Sequence, residues 1–230
     1  MKRFLRKWAL LCAVSALVGC AHAPSTPPTS DEEWQAVLLP GKRATVYCSE
    51  MKEGRVAIAA RADRSASLWR RSLRVPMRQV GEVEFSWWVS DLVPLANMSD
   101  ALYSDAPARI VFAFAGDNAQ LSPRNRTLFD LAHLLTGEAP PYATLMYVWD
   151  AHAPVGTVVV NARSDRIRKI VVESGPQNLR RWRSYRRNLA DDFRTAFAEE
   201  PGALTAVAMM TDADNTQGRA EAWYGEIKLH

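Results

Sequence analysis

Cysteine is scarce in this chain, with three residues at positions 12, 20 and 48 of 230. A disulfide framework of the kind that staples small secreted domains is therefore excluded. Histidine is almost as rare, with His22, His133, His152 and His230 scattered along the sequence. No His-Glu-x-x-His segment, phosphate-binding glycine loop or Gly-x-Ser-x-Gly elbow occurs, which removes the commonest zinc-hydrolase, nucleotide and serine-hydrolase readings. No 20–50-residue repeat is evident, and no acid precedes Asp31. That last gap explains the net charge of +4. Lys2, Arg3, Arg6 and Lys7 supply the whole surplus, and without them 25 bases meet 25 acids. The charge balance gives no ground to expect a nucleic-acid partner. With 48% hydrophobic and 23% charged residues, the rest has the composition of a globular domain.

What is present begins with an address. The basic residues at the start are followed by an apolar stretch from Trp8 to Val18, too short to span a membrane as a mature helix. Leu17-Val18-Gly19-Cys20 comes next, and these four residues resemble the lipobox of bacterial lipoprotein precursors. The resemblance implies cleavage after residue 19, lipid on the Cys20 sulfur and acylation of the new amino terminus. Ala21 rather than Asp follows the cysteine, which for such lipoproteins implies the inner leaflet of the outer membrane, facing the periplasm. Residues 20–33 contain a Pro/Ser/Thr tether, Ala23 to Ser30, that has no means of forming a core. The expected organisation is a signal peptide over 1–19, an acylated tether over 20–33 and one domain over 34–230. The membrane is thus one expected partner, reached through the lipid.

Short alternating segments dominate after residue 44. Strands are expected at Thr45–Ser49, Arg55–Arg61, Ser67–Leu73, Glu82–Ser90, Arg109–Phe114, Ala143–Trp149, Thr157–Asn161, Ile167–Ser174, Leu204–Thr211 and Ala220–Lys228. Short helices are expected at Leu128–Leu135 and at Asn188–Ala198, where Leu189, Phe193 and Phe197 recur at spacing four. The pattern predicts a mainly β protein, an antiparallel β-sandwich or jelly roll with one or two short helices. In the clearest strand, Val83, Phe85, Trp87 and Val89 share the core face, while Trp88 lies among polar neighbours on the other. Such a Trp suits a platform for a sugar ring, or a side chain covered by a further layer such as the expected helices.

Several stretches together resemble the bacterial domain-of-unknown-function family 3047, across nearly the whole body from about residue 40. They include Ser86-Trp87-Trp88-Val89, Asp105-Ala106-Pro107-Ala108-Arg109-Ile110, Tyr147-Val148-Trp149, Val171-Val172-Glu173-Ser174-Gly175, Arg187-Asn188-Leu189-Ala190-Asp191-Asp192-Phe193, Met210-Thr211-Asp212-Ala213-Asp214-Asn215-Thr216 and Ala222-Trp223-Tyr224-Gly225. The resemblance implies a galactose-binding-like jelly roll and carries no activity with it.

Three readings of the polar residues follow. A binding module for a glycan or another envelope ligand would use Trp88 as platform, with Arg109, Glu173 and Asp214 as hydrogen-bonding groups and Tyr147, Trp149 and Arg187 as further candidates. A glycan-cleaving hydrolase would need a carboxylate pair, drawn from Glu173, Asp191, Asp212 and Asp214. An assembly lipoprotein would engage another envelope protein through Arg180 to Arg187, where cations alternate with Trp182 and Tyr185. Residues 163–187 hold nine bases against two acids, and 188–226 hold eight acids against two bases, so mutual neutralisation is the competing account of that run. Asp212, Asp214 and Asn215 have the oxygen chemistry of a structural calcium site. They equally suit a polar turn at a strand end, and no other cofactor is expected. Cys48 reads as a small buried apolar residue.

Overall fold

The computed structural model describes residues 33–230. Cys20, the signal peptide and most of the tether lie outside the described residues. Thirteen strands and two α-helices account for the ordered body. Seven strands form one sheet in the order β1 (Trp34–Leu38), β4 (Ser67–Val75), β11 (Leu204–Asp212), β6 (Ala106–Phe114), β7 (Ala143–Asp150), β9 (Ile167–Ser174) and β8 (Val158–Val160). The second sheet runs β10 (Trp182–Asn188), β5 (Glu82–Val89), β12 (Arg219–Tyr224), β3 (Arg55–Asp63) and β2 (Val46–Lys52). The short β13 (Lys228–Leu229) also pairs with β5. The result is a jelly-roll-like β-sandwich.

Period-two alternation places the core between the sheets. Val83, Phe85, Trp87 and Val89 of β5 meet Ile110 and Phe112 of β6, Leu145, Tyr147 and Trp149 of β7, and Ile170 and Val172 of β9. Phe85 stacks on Tyr147 with ring centroids 5.5 Å apart and meets Trp87 edge-on at 5.2 Å. Aromatic pairs of this kind each add about 1 kcal/mol beyond their buried area. Helix α2 (Leu189–Phe197) lays Leu189, Phe193 and Phe197 into the same core. Its first turn is capped by the Asn188 side chain, which accepts from the Asp191 amide.

The structure departs from the sequence pattern at identifiable places. The sandwich is not wholly antiparallel, because β7 and β9 run parallel. The intervening β8 turns back to pair with β9 at the sheet edge. Helix α1 (Pro123–Thr136) begins five residues before its apolar run, set by a Ser122 cap on the Asn125 amide and by proline in the first turn. The last expected strand breaks at Gly225, whose amide bonds Ser86 O and whose Cα lies against the Ser86 side chain where no Cβ fits. Most of the basic run 180–187 lies in β10, a strand beyond the expected set, held to β5 by the pairing Tyr185↔Phe85, while Arg180 and Arg181 precede it. Strand β1 pairs with β4 as Ala36↔Trp69 and is also beyond the expected set. Cys48 is exposed on β2 rather than buried.

Candidate functional site

The outer face of the seven-stranded sheet carries the principal concavity, and the register shows how it is made. One row of outward residues crosses five strands: Arg70 beside Ala208, Ala208 beside Val111, Val111 beside Met146, and Met146 beside Lys169. The next row runs Ser72, Ala206, Ala113, Thr144 and Ile167. Three alanines on the adjoining strands β6 and β11 leave a trough where central strands ordinarily carry branched or aromatic side chains. The trough has a volume of about 640 Å³. Its rim is formed by Leu39, Asn118, the segment Glu138–Pro141 and Tyr142. Gly116 lets the Tyr142 ring lie directly on the backbone, since a Cβ there would occupy the ring's position. Arg166 stacks on the other face of Tyr142, with its guanidinium 4.0 Å from the ring centroid. Glu199 accepts from both, at 3.2 Å from the tyrosine hydroxyl and 2.7 Å from Arg166 Nη1. At the far wall Arg70 Nη1 donates to Glu138 at 2.9 Å, while Arg70 Nε has no acceptor among the described residues.

None of the residues singled out from the sequence lines this trough. Trp88 is 8% exposed. It belongs to an outer cluster on the six-stranded sheet with Trp223, Ala57, Ala59 and Trp182. Lys52 Nζ sits 3.5 Å from the Trp88 ring centroid and 3.7 Å from that of Trp223, and Glu53 accepts the Trp88 indole proton at 2.9 Å. The covered alternative therefore describes Trp88, although its cover is the β2–β3 turn and Trp182 rather than a helix. Tyr147 and Trp149 lie in the central core with no exposure. Tyr147 donates its hydroxyl proton to Asp192 at 2.6 Å, and Arg187 pairs with the same carboxylate.

The acids are occupied as well. Burial works to raise the Glu173 carboxyl, yet donation from Tyr185, Asn178, the Ser174 amide and Arg183 prevails and holds it below the ordinary glutamate value. A general acid for glycoside cleavage needs the opposite shift. Arg109 and Asp212 form a buried bidentate pair, with Nε and Nη2 at 2.9 and 2.8 Å. Burial pushes the Asp212 carboxyl up, and the Arg109 guanidinium opposes that push. Asp191 is exposed and pairs with Arg194.

Asp105, Asp212 and Asp214 do converge, with one oxygen of each within 4.8 Å of the others. Their oxygens already have donors. Asp105 accepts the Asn215 and Thr216 amides and the Thr216 hydroxyl. Asp212 takes Arg109 and the Ala106 amide, and Asp214 takes Lys42. A calcium ion would have to displace two cations, so the cluster fits a charge-balanced strand-end turn better than a metal site.

The basic strand is similarly neutralised, but by partners other than the acidic segment as a whole. Arg180 pairs with Asp91, Arg183 with Glu173, Arg186 with Glu82 and Arg187 with Asp192. Sequence reasoning passed over one pair beside the trough. Lys169 is 2% exposed, and its Nζ donates to Ser104 Oγ at 2.8 Å. Burial, with Arg109 nearby, lowers its pKa to about 7.

Among curated proteins, none matches the chain. Solved structures of similar shape include a family 11 carbohydrate-binding module of the cellulosomal cellulase Lic26A-Cel5E of Clostridium thermocellum, at 9% identity and TM-score 0.40, over 85% of this chain and 86% of that one. Another is the xyloglucanase domain of NopAA, a type three effector from Sinorhizobium fredii, in complex with cellobiose, at 8% identity and TM-score 0.44, over 91% and 99%. A third is endoglucanase 3 of Trichoderma harzianum, from family GH12, at 8% identity and TM-score 0.40, over 86% and 98%. The sequence itself is more decisive: residues 32–228 match the family described as Protein of unknown function (DUF3047), and the chain belongs to that family.

Proposed function

We propose that the protein is a lipid-anchored module of the cell envelope that binds a glycan or another envelope molecule in the trough across the seven-stranded sheet. The observation that carries this reading is the floor of Ala113, Ala206 and Ala208, kept low on neighbouring central strands. A sheet face with no ligand gains stability from larger side chains there, by roughly 0.8 kcal/mol for each buried methylene. The rim offers what a glycan contacts: the Tyr142 ring, the Asn118 amide and the Arg70–Glu138 pair. Trp88, Arg109 and Glu173 are engaged elsewhere and take no part.

The test compares wild type with Ala208→Trp on a glycan array and on intact envelope lipopolysaccharide. Binding by wild type that falls at least tenfold in the variant is the expected outcome. Binding indifferent to the substitution removes the trough as the ligand seat, and no binding at all removes the glycan as its ligand.

A further inference from the structure

We infer that the trough floor holds a single long acyl chain, with the oxygen-bearing head of the amphiphile at Arg70; the inference rests on the trough being the ligand seat. The lining decides the chemistry. Between Arg70 and Lys169 the central row offers only Ala208, Val111 and Met146, and the adjoining Ala206, Ala113 and Met210 continue the apolar floor. A sugar lying along the central row would bury hydroxyls against the methyl and thioether groups of Ala208, Val111 and Met146, a loss that an acyl chain does not incur. Polar groups lie beside that row, in Ser72, Thr144 and Thr205, and on the rim, where a head group, saccharide or phosphate, remains in water.

Dimensions agree with this assignment. Four strand spacings separate Ser72 from Ile167, which both line the trough, roughly 19 Å across the sheet, which is the span of an extended long-chain acyl group. Methionines at 146 and 210 give the walls adaptable side chains suited to a flexible chain. At one end the Arg70 guanidinium spends only part of its donor capacity on Glu138, and its Nε lacks an acceptor among the described residues. A carboxylate, phosphate or ester oxygen is the natural complement of that guanidinium. The rim segment Glu138–Pro141 follows directly on α1, which exposes Leu131, Leu134 and Leu135 to solvent. An apolar surface thus adjoins the trough at this rim segment.

The experiment uses the full chain and the fluorescent fatty acid cis-parinaric acid, displaced by palmitate or by lysophosphatidylethanolamine. Saturable binding, displacement by either competitor, and at least tenfold weaker binding by Ala208→Trp are expected. Displacement by palmitate alone identifies a free carboxylate head, and displacement by the lysolipid alone identifies a phosphate head. Methionine-methyl NMR of wild type needs no variant: palmitate should shift Met146 and Met210 and leave Met77, on the opposite side of the sheet, unmoved. No parinaric acid binding, equal binding by Ala208→Trp, or shifts confined to other methionines would overturn the inference. If Ala208→Trp abolishes glycan-array binding while no acyl probe binds, the acyl assignment falls and the trough stands as a glycan seat. If both kinds of binding occur and ignore the substitution, both readings fall.

Discussion

Lys169 is buried on the seven-stranded sheet beside the Ser104 loop, with a serine hydroxyl as hydrogen-bond partner and no ion-paired carboxylate among the described residues. Burial depresses its pKa to about 7, Arg109 adds to the effect, and Asp212, Asp150 and Asp105 oppose it. The unfolded chain keeps the ordinary lysine value near 10.4. Between those values the unfolded state binds the extra proton, so the contribution of this residue to stability rises with pH. Below about pH 7 its penalty is complete, and above about pH 10.5 it is gone. Lys169→Met should therefore stabilise the protein more at pH 6 than at pH 10, by on the order of 1–3 kcal/mol. Urea denaturation at the two pH values reads the difference, and an equal effect at both refutes the depressed lysine. Lys169 carries no mark in the sequence. It stands in an ordinary strand, and only the loop bearing Ser104 makes it buried.

Helix α2 was legible from its sequence to within a residue at each end, because cap, charge and apolar spacing agree. Asn188 caps it, Asp191 and Asp192 occupy the first turn, and Leu189, Phe193 and Phe197 face the core. Replacing Asn188 by alanine leaves the Asp191 amide without its side-chain acceptor and should lower stability by about 1 kcal/mol, measured by thermal or chemical denaturation. A change below a few tenths would mean that water replaces the cap. Strand β5 was legible from its clean alternation, and β9 from its run of β-branched residues. Strand β10 was hidden because its inward positions are Arg183, Tyr185 and Arg187, whose heads reach Glu173 and Asp192 at the open edge of the sandwich. The trough was hidden for a different reason. It consists of small residues on strands distant in sequence, and nothing in Ala113 or Ala208 alone distinguishes a ligand floor from a tightly packed core. Trp88 drew attention by its chemistry, but cation–π packing under Lys52 satisfies that chemistry internally.

At the scale of the whole molecule, the proposed anchor sets where the trough works. Three acyl chains on Cys20 would hold the protein on a membrane without help from the body. The stretch from Cys20 to Trp34 spans at most about 50 Å when extended, so the trough would stay within reach of the bilayer surface. Metabolic labelling with palmitate should mark wild type and fail with Cys20→Ser, which should also release the protein from membranes. An unlabelled wild-type chain would remove the anchor and leave the body's architecture untouched.

The confinement that the proposed anchor would impose would also crowd copies together, which gives the charged edge strand β10 a second consequence. A sheet edge ordinarily exposes unpaired backbone groups that template the addition of another strand. Arg181 is exposed just before the strand, and on it Arg183, Arg186 and Arg187 are paired with Glu173, Glu82 and Asp192. A second copy adding a strand there would have to accommodate Arg181 and these ion-paired side chains before any backbone hydrogen bond forms. Charged side chains along β10 would thereby disfavour edge-to-edge pairing, a safeguard that would matter most for a sandwich held at high local density on a membrane.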